Sequence, residues 1–225
     1  MSSTLDLFDA NSDPQAREQP LAPGAVLLRG FALPVAEQLL HDLEPVITQA
    51  AFRHLTTPGG LTMSVAMTNC GMLGWVSDRS GYRYETRDPQ TGLPWPAMPD
   101  SFAQLARAAA ERGGYMGFEP DACLVNRYEP GARLSLHQDR DESDLGAPIV
   151  SVSLGLPAVF LFGGVKRTDK AQRVLLMHGD VVVWGGPARL AYHGVLALKD
   201  GEHALLGRQR INLTFRKAVA AAPAP

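Results

Sequence analysis

The stretch that decides the fold is PIVSVSLGLPAVFLFGG, residues 148–164. It contains two short apolar runs, Ile149–Leu156 and Val159–Phe162, which are separated by a proline and followed by a pair of glycines. Short runs rich in valine, isoleucine and phenylalanine that are bounded by glycine and proline are typical of strands. The stretch therefore predicts two neighbouring strands joined by a turn.

The same pattern extends to both sides of this stretch. Short strands at this spacing favour an antiparallel sandwich or barrel over a parallel sheet with crossover helices. The fold class predicted for the chain is therefore mainly β. The further strands are predicted at Ala122–Tyr128, Arg173–Met177, Val181–Trp184 and Ile211–Phe215.

The part of the chain before residue 120 has a different pattern. Apolar residues at helical spacing predict an amphipathic helix over Val35–Ala50, and a second helix follows Asp100 or Ser101, either of which can cap it, and ends at Gly113-Gly114. The intervening residues 54–100 are rich in glycine, proline and aromatics, as binding lids often are. The organisation predicted is one catalytic domain with an irregular lead-in at 1–24, helices and a lid at 25–120, a core at 121–217 and a disordered tail at 218–225.

Composition restricts the partners and the compartment. The 225-residue chain carries 21 basic and 23 acidic residues, so long nucleic acid is not held by bulk charge and any contact needs a local basic surface. Its two cysteines, Cys70 and Cys123, are expected to be reduced thiols, which indicates a reducing compartment. No apolar run reaches the roughly 20 residues that span a bilayer, and the first residues do not resemble a signal peptide. A cytoplasmic monomer without a membrane partner is predicted.

A metal site is predicted from His137-Gln138-Asp139 together with His193. Residues two apart in an extended segment lie on the same side of it, and a distant histidine can complete a set of two histidines and one carboxylate. This set leaves adjacent positions open on Fe(II) for O₂ and a co-substrate. A structural zinc site would instead close all four positions, usually with cysteine.

A rival pair, His178-Gly179-Asp180, has the same spacing. It directly precedes the apolar run that begins at Val181, so Gly179-Asp180 is expected to form a turn before a buried strand. Only one hairpin fits between His178 and His193, whereas several strands fit between His137 and His193. The sequence therefore favours the first pair as metal ligands.

A second chemical signal is RINLTFR, residues 210–216. Strand alternation places Arg210, Asn212, Thr214 and Arg216 on one face. If that face points inward, its arginines need an anionic partner, and a dicarboxylic acid gripped by a guanidinium fits that requirement. The alternative, an outward and solvated polar face, stays open on periodicity alone.

These motifs, together with PGGLTMSVAMTNCGMLGW, HGDVVVWGG and YHG, resemble the bacterial AlkB family of DNA-repair dioxygenases from about Leu5 to Lys217. The resemblance implies a double-stranded β-helix (jelly roll) core with N-terminal helices and a nucleotide-recognition lid. It also implies Fe(II), 2-oxoglutarate and O₂ as cofactors. The activity implied is oxidative removal of alkyl groups from bases such as 1-methyladenine and 3-methylcytosine in single- or double-stranded DNA, preferably single-stranded, with RNA as an alternative substrate, releasing an aldehyde, succinate and CO₂.

The resemblance also implies a role for individual residues. The iron ligands implied are His137, Asp139 and His193. The 2-oxoglutarate-binding residues implied are Asn126, Tyr128, Arg210, Asn212 and Arg216. The residues implied to meet the flipped base are Met67, Trp75, Tyr82, Asp141 and Arg167, and those implied to meet the phosphate backbone are Thr57, Tyr84, Arg133 and Arg140. Lys166 is a further basic residue that can contribute to the backbone contacts.

Two other functions compete with this interpretation. An oxygenase of the same fold can act on RNA, protein or a small molecule, and the lid residues would discriminate between these substrates. A non-catalytic jelly-roll module that only binds is the other, and the inward arginines argue against it because a pure metal binder needs no dicarboxylate clamp. A zinc hydrolase lacks both a general base and a cysteine- or histidine-rich site in this sequence.

Overall fold

A computed structural model describes residues 18–219 of the chain. This range contains fourteen strands and two α-helices, α1 (Ala36–Gln49) and α2 (Asp100–Arg112). None of its helices has the length and apolar character needed to cross a membrane. The strands are β1 (Glu18–Ala22), β2 (Ala25–Leu28), β3 (Arg53–Thr56), β4 (Thr62–Gly71), β5 (Gly74–Asp78), β6 (Gly81–Glu85), β7 (Ala122–Tyr128), β8 (Leu134–His137), β9 (Ile149–Gly155), β10 (Ala158–Phe162), β11 (Gln172–Leu176), β12 (Val181–Trp184), β13 (His193–Val195) and β14 (Arg210–Arg216).

The strands form two main sheets and one separate hairpin. The large sheet has the order β1-β2-β12-β9-β14-β7-β4-β3, and the small sheet has the order β11-β10-β13-β8. All of their pairings are antiparallel. The predicted antiparallel β core is therefore confirmed, and the resemblance to a jelly roll holds for the architecture.

Alternation along the central strands divides the interior into two layers. Ile211, Leu213 and Phe215 of β14 pack with residues of α1 and α2, which cover one face of the large sheet. Val182 and Trp184 of β12 point the other way and pack with residues of the small sheet. The polar residues of β14 lie on this second side, between the sheets, so the solvated alternative for the face of Arg210 and Arg216 is wrong. All seven residues of β14 are buried.

Strands β5 and β6 form a two-stranded sheet of their own within the predicted lid. The hairpin is fixed at its base by Trp95, which is buried and donates from its indole Nε1 to the carbonyl oxygen of Glu85 at 2.9 Å. The Trp95 ring lies against Gly74, where an added Cβ would approach the ring to 2.3 Å. Only glycine fits this position.

The sequence predictions differ from the structure at several places. Residues 18–22 of the predicted irregular lead-in form β1, and residues 1–17 lie outside the described range. Neither Asp100 nor Ser101 caps α2, because its N-cap is Pro99 and no side chain bonds there. In the predicted tail, Ala218 and Val219 donate their backbone N–H groups to Asp121, whereas residues 220–225 lie outside the described range. Strands β2, β3 and β4 belong to the large sheet together with strands of the predicted core. The boundary predicted at residue 120 therefore runs through this sheet, and the different roles given to the two parts of the chain remain predictions.

The turn between β11 and β12 is held by a buried carboxylate. Asp180 is 2% exposed and accepts hydrogen bonds from the backbone N–H groups of Gly30 and Met177, each at 2.9 Å. It also pairs with Arg29 at 2.7 Å. An Asp–Arg pair of the same length, Asp200 with Arg208, is exposed on both sides.

Replacing Asp180 by alanine should lower the free energy of unfolding by about 3 kcal/mol, because two buried donors and one charge lose their partner. Replacing Asp200 by alanine removes a solvent-screened pair and should cost less than about 1 kcal/mol. Urea unfolding followed by circular dichroism measures both values. Equal losses in the two variants would contradict the structural role given to Asp180.

Candidate active site

The predicted metal ligands meet where β8 and β13 pair. His137 ends β8, His193 begins β13, and the two residues are direct partners across the pair. Asp139 follows β8 by two residues. One possible ligand atom from each of the three side chains lies within 4.8 Å of the other two. The structure thus brings together the three residues that the sequence singles out.

Hydrogen bonds to the backbone set the tautomer of both histidines. His137 Nδ1 lies 2.8 Å from the carbonyl oxygen of Ser135, and His193 Nδ1 lies 3.0 Å from that of Ala191. A carbonyl oxygen only accepts, so each Nδ1 carries the proton and each Nε2 keeps a free lone pair. The Nε2 atoms are those that approach Asp139, at 3.5 Å and 3.8 Å.

The charge environment keeps Asp139 and His193 in the protonation states that a metal needs. Burial alone would raise the pKa of Asp139, but the Arg216 guanidinium and then the two histidines outweigh it and hold that pKa well below its ordinary value. Burial, with a smaller contribution from His137, lowers the pKa of His193 to about 4. At neutral pH the site therefore offers an ionised carboxylate and a neutral imidazole.

The donor set fits Fe(II). Two imidazole nitrogens and one carboxylate leave up to three coordination positions free, which non-haem iron oxygenases use for O₂ and a co-substrate. Cysteine is not part of the set, since Cys70 and Cys123 are buried in the layer against the helices.

The guanidinium of Arg210 is buried, and only some of its donors are satisfied by the described residues. Arg210 is 1% exposed, donates from NH2 to Ser153 Oγ at 2.9 Å, and lies over the Tyr128 ring with its carbon 4.9 Å from the ring centroid. Its Nε and NH1 atoms are buried without any hydrogen-bond partner among the described residues, as is Asn126 Oδ1. Burial lowers the pKa of Arg210. Unpaired donors on a buried cation are costly, so this site fits an anion such as a carboxylate of 2-oxoglutarate.

The other residues predicted to bind 2-oxoglutarate are bonded within the protein. Asn212 donates to Ser151 Oγ and to the carbonyl oxygen of Val152, and its own oxygen accepts from Thr214 at 2.9 Å. Arg216 donates two hydrogen bonds to Asp139 Oδ2, at 2.6 Å and 3.0 Å. In this structure Arg216 therefore holds the carboxylate of Asp139, a predicted metal ligand.

Three of the residues predicted to meet the base, Trp75, Tyr82 and Asp141, form a cluster between the hairpin and the loop after β8. Trp75 of β5 stacks on Tyr82 of β6 with centroids 5.5 Å apart and planes 14° apart, and its Nε1 donates to Asp141 Oδ2 at 2.9 Å. Arg167 is exposed and donates to the carbonyl oxygen of Leu136 at 3.1 Å, next to His137. Met67 is buried in the layer between the sheets, where it pairs with Asn126 of β7, and its contact with the base remains a prediction.

Three of the four residues predicted to contact the phosphate backbone have accessible side chains. Arg133 and Arg140 are exposed, as is Lys166, and Thr57 is half-buried in the turn before β4. The fourth, Tyr84, donates its hydroxyl to Glu142 Oε1 at 2.7 Å inside the protein, so the structure does not present it to a phosphate.

The rival pair at residues 178–180 does not form a metal site. His178 Nδ1 accepts a hydrogen bond from the backbone N–H of Gly155 at 3.0 Å. Asp180 is taken up by the β11–β12 turn described above. Gly179-Asp180 therefore forms the turn that the sequence predicts.

Two buried residues of the site, Glu142 and Arg189, are not predicted from the sequence. Glu142 belongs to the acidic run 139–142, which is normally a solvated loop, yet it is 6% exposed. Arg189 is 3% exposed and donates to Glu142 Oε2 at 3.0 Å and to the carbonyl oxygen of Asp139 at 2.7 Å. A lone arginine in the mostly apolar segment PARLAY, residues 187–192, is the signal that points to a buried pair.

Known proteins are similar to the chain over nearly all of its length. The family model described as the 2OG-Fe(II) oxygenase superfamily matches residues 24–216. Proteins named alpha-ketoglutarate-dependent dioxygenase AlkB from Salmonella typhimurium and Escherichia coli are each 62% identical over 95% of this chain and 98% of their own length. The solved structure of OsALKBH1 superposes with a TM-score of 0.79 at 31% identity, covering 89% of this chain and 99% of that one.

Replacing Arg210 by methionine should weaken 2-oxoglutarate binding on the order of 100-fold, because a buried charge-assisted contact is lost. The free energy of unfolding should not fall, since two unpaired buried donors leave with the guanidinium. Calorimetric titration of the metal-loaded protein with 2-oxoglutarate and urea unfolding measure the two effects. The exposed Arg208→Met variant is the control, and unchanged affinity in Arg210→Met would contradict the assignment.

Proposed function

The chain belongs to the 2OG-Fe(II) oxygenase superfamily and, within it, to the AlkB dioxygenases, and from that premise we propose that it repairs DNA directly. It is an Fe(II)- and 2-oxoglutarate-dependent dioxygenase that dealkylates nucleic acids. The substrate proposed is single-stranded DNA carrying 1-methyladenine or 3-methylcytosine. What carries the proposal is the ligand cluster, together with the buried Arg210, whose Nε and NH1 have no partner among the described residues, and the contact of Trp75 with Asp141.

The roles of the site residues follow from their positions. His137, Asp139 and His193 would hold Fe(II), and Arg210 with Tyr128 and Asn126 would hold the distal carboxylate of 2-oxoglutarate. Bound there, the metal and its co-substrate supply the O₂-dependent oxidation that releases the alkyl group as an aldehyde and 2-oxoglutarate as succinate and CO₂. The protein positions these groups.

The cluster of Trp75, Tyr82 and Asp141 supports recognition of a flipped base with a positive charge. Trp75 stacks on Tyr82, which fixes the plane of the indole ring, and an aromatic ring held in this way can stack on a planar base. The Asp141 carboxylate at its edge attracts an N-alkylated base that is cationic, because opposite charges attract strongly in a partly dry pocket. Flipping costs a few kcal/mol in a duplex and least in a single strand, which supports the strand preference proposed.

The surroundings support contact with a phosphate backbone despite the net charge of −2. Arg133, Arg140, Lys166 and Arg167 are exposed and belong to segments next to the ligands. The cytoplasmic location proposed is supported by Cys70 and Cys123, which face each other across β4 and β7 and are free thiols. A monomer is proposed because the enzyme acts on a long polymer.

The experiment is incubation with a single-stranded oligonucleotide carrying one 1-methyladenine, with Fe(II), ascorbate and 2-oxoglutarate, followed by mass spectrometry. We expect the loss of one methyl group, dependent on 2-oxoglutarate and abolished in His137→Ala. The matched RNA oligonucleotide tests the alternative substrate. Succinate formation without demethylation of either the DNA or the RNA oligonucleotide would indicate that the substrate is a protein or a small molecule. This result would overturn the proposal.

The Asp141→Asn variant tests how the base is recognised. Asparagine keeps an oxygen that can accept from Trp75, but the negative charge is lost, so kcat/KM for the cationic 1-methyladenine should fall about tenfold. The value for a neutral ethenoadenine should change by less than about threefold. Asp144→Asn, in the same loop, is the control. Equal losses on both lesions would show that charge does not select the base.

A further inference from the structure

The loop that follows Asp139 is held by a group of buried charges that the metal chemistry itself does not require. Glu142 accepts hydrogen bonds on both carboxylate oxygens, from Tyr84 on Oε1 and from Arg189 on Oε2, and Arg216 Nε lies 3.2 Å from Oε1. Arg216 is thus shared between Glu142 and Asp139. The carboxylates of Asp139 and Glu142 and the guanidiniums of Arg189 and Arg216 balance in charge. None of these four residues is more than 9% exposed.

Arg189 ties together the two chain segments that supply the ligands. Its NH1 donates to the carbonyl oxygen of Asp139, its NH2 to Glu142, and its Nε to the carbonyl oxygen of Ala147 at 2.9 Å. It lies four residues before His193, directly after the 3₁₀ turn at residues 186–188. Replacing Arg189 would therefore disturb both the segment that carries Asp139 and the segment that carries His193.

The hairpin reaches the same loop through a cross-strand pair. Trp75 and Tyr84 are opposite one another on β5 and β6. Trp75 donates to Asp141, and Tyr84 donates to the next residue, Glu142. The bond from Trp75 to Asp141 is exposed and lies where the base is proposed to bind. The bond from Tyr84 ends on the buried carboxylate of Glu142, whose side chain alone is 2% exposed.

We propose that Glu142 is a positioning residue for the metal-binding carboxylate, and that Tyr84 couples the β5–β6 hairpin to it through Glu142 and Arg216. An entering base competes with Trp75 for Asp141, while the Tyr84 bond keeps the hairpin joined to the metal site. Order in the hairpin and order at Asp139 thus depend on each other, as linkage between two sites requires. This inference rests on the proposed function for the identity of the metal site.

Burial raises the pKa of Tyr84 well above its ordinary value, so its hydroxyl keeps the proton and remains a donor. On Asp139, Arg216 takes Oδ2, and Oδ1 accepts no hydrogen bond within the described part of the chain. Fixing one oxygen orients the other, which is how partners of a ligand commonly raise metal affinity. Glu142 in turn fixes Arg216.

The test uses Mn(II), which occupies such sites without O₂ turnover, on the full-length protein. Tyr84→Phe removes only the hydroxyl, and Glu142→Gln keeps the shape but removes the charge. Tyr115→Phe is the matched control, because its hydroxyl also donates one 2.7 Å bond to a protein oxygen, that of Gly24, away from the metal. Calorimetry gives the Mn(II) affinity, and hydrogen–deuterium exchange follows the amides of residues 74–85 with and without Mn(II) and 2-oxoglutarate.

In the wild type, loading with Mn(II) and 2-oxoglutarate should slow exchange in the hairpin. Tyr84→Phe should lose that slowing and bind Mn(II) several-fold more weakly, and Glu142→Gln should weaken Mn(II) binding about tenfold. Tyr115→Phe should match the wild type in both measurements. If Glu142→Gln does not fold, Tyr84→Phe alone decides.

The proposal is overturned if Tyr84→Phe keeps wild-type Mn(II) affinity and hairpin protection. It is also overturned, with the proposed function intact, if the wild type binds Mn(II) but its hairpin does not respond. If the wild type binds no Mn(II) at all, the proposed function fails as well.

Discussion

The whole site depends on the burial of arginine side chains between two sheets. A guanidinium removed from water is stable only with anionic or hydrogen-bonding partners, and β14 places Arg210 and Arg216 there because its apolar residues are needed against the helices. The two arginines meet this constraint differently. Arg216 is satisfied within the protein by Asp139 and Glu142, whereas the Nε and NH1 atoms of Arg210 have no hydrogen-bond partner within residues 18–219. One arginine therefore completes the structure, and the other is the one proposed to bind the co-substrate.

Much of this arrangement could be predicted from the sequence, because strand alternation is a local property. The alternation of residues 210–216 predicts which of their side chains share a face of the strand. The apolar run Val181–Trp184 predicts a buried strand with the bounds that the structure shows. The metal ligands could be singled out because a histidine and a carboxylate two residues apart form a chemical pattern. Choosing between the pairs at 137 and 178 needed the turn pattern of Gly179-Asp180 before the apolar run at Val181 and the length of chain before His193.

Other parts could not be predicted, for physical reasons. Strands β8 and β13 are four and three residues long, too short to show a period, and they form because they pair with each other around the ligands. Glu142 belongs to an acidic run, and the distant residues Tyr84, Arg189 and Arg216 make its burial possible. In both cases contacts far away in the sequence decide the local structure. The start of α2 is different, because the N-cap is the adjacent Pro99 and neither Asp100 nor Ser101 takes that place.

The close packing of Trp95 on Gly74 has a consequence for how this enzyme can diversify. The base of the hairpin admits no side chain at residue 74, and Gly81 at the far end has a φ of +131°, which L side chains rarely adopt, although an added Cβ there would meet nothing within 4 Å. Both ends of this short element are therefore reserved for glycine, by crowding at the root and by backbone conformation at the tip. Laboratory evolution toward new lesions would find its accessible variation at exposed side chains between them, such as Arg79 and Ser80, with both glycines unchanged from one successful variant to the next.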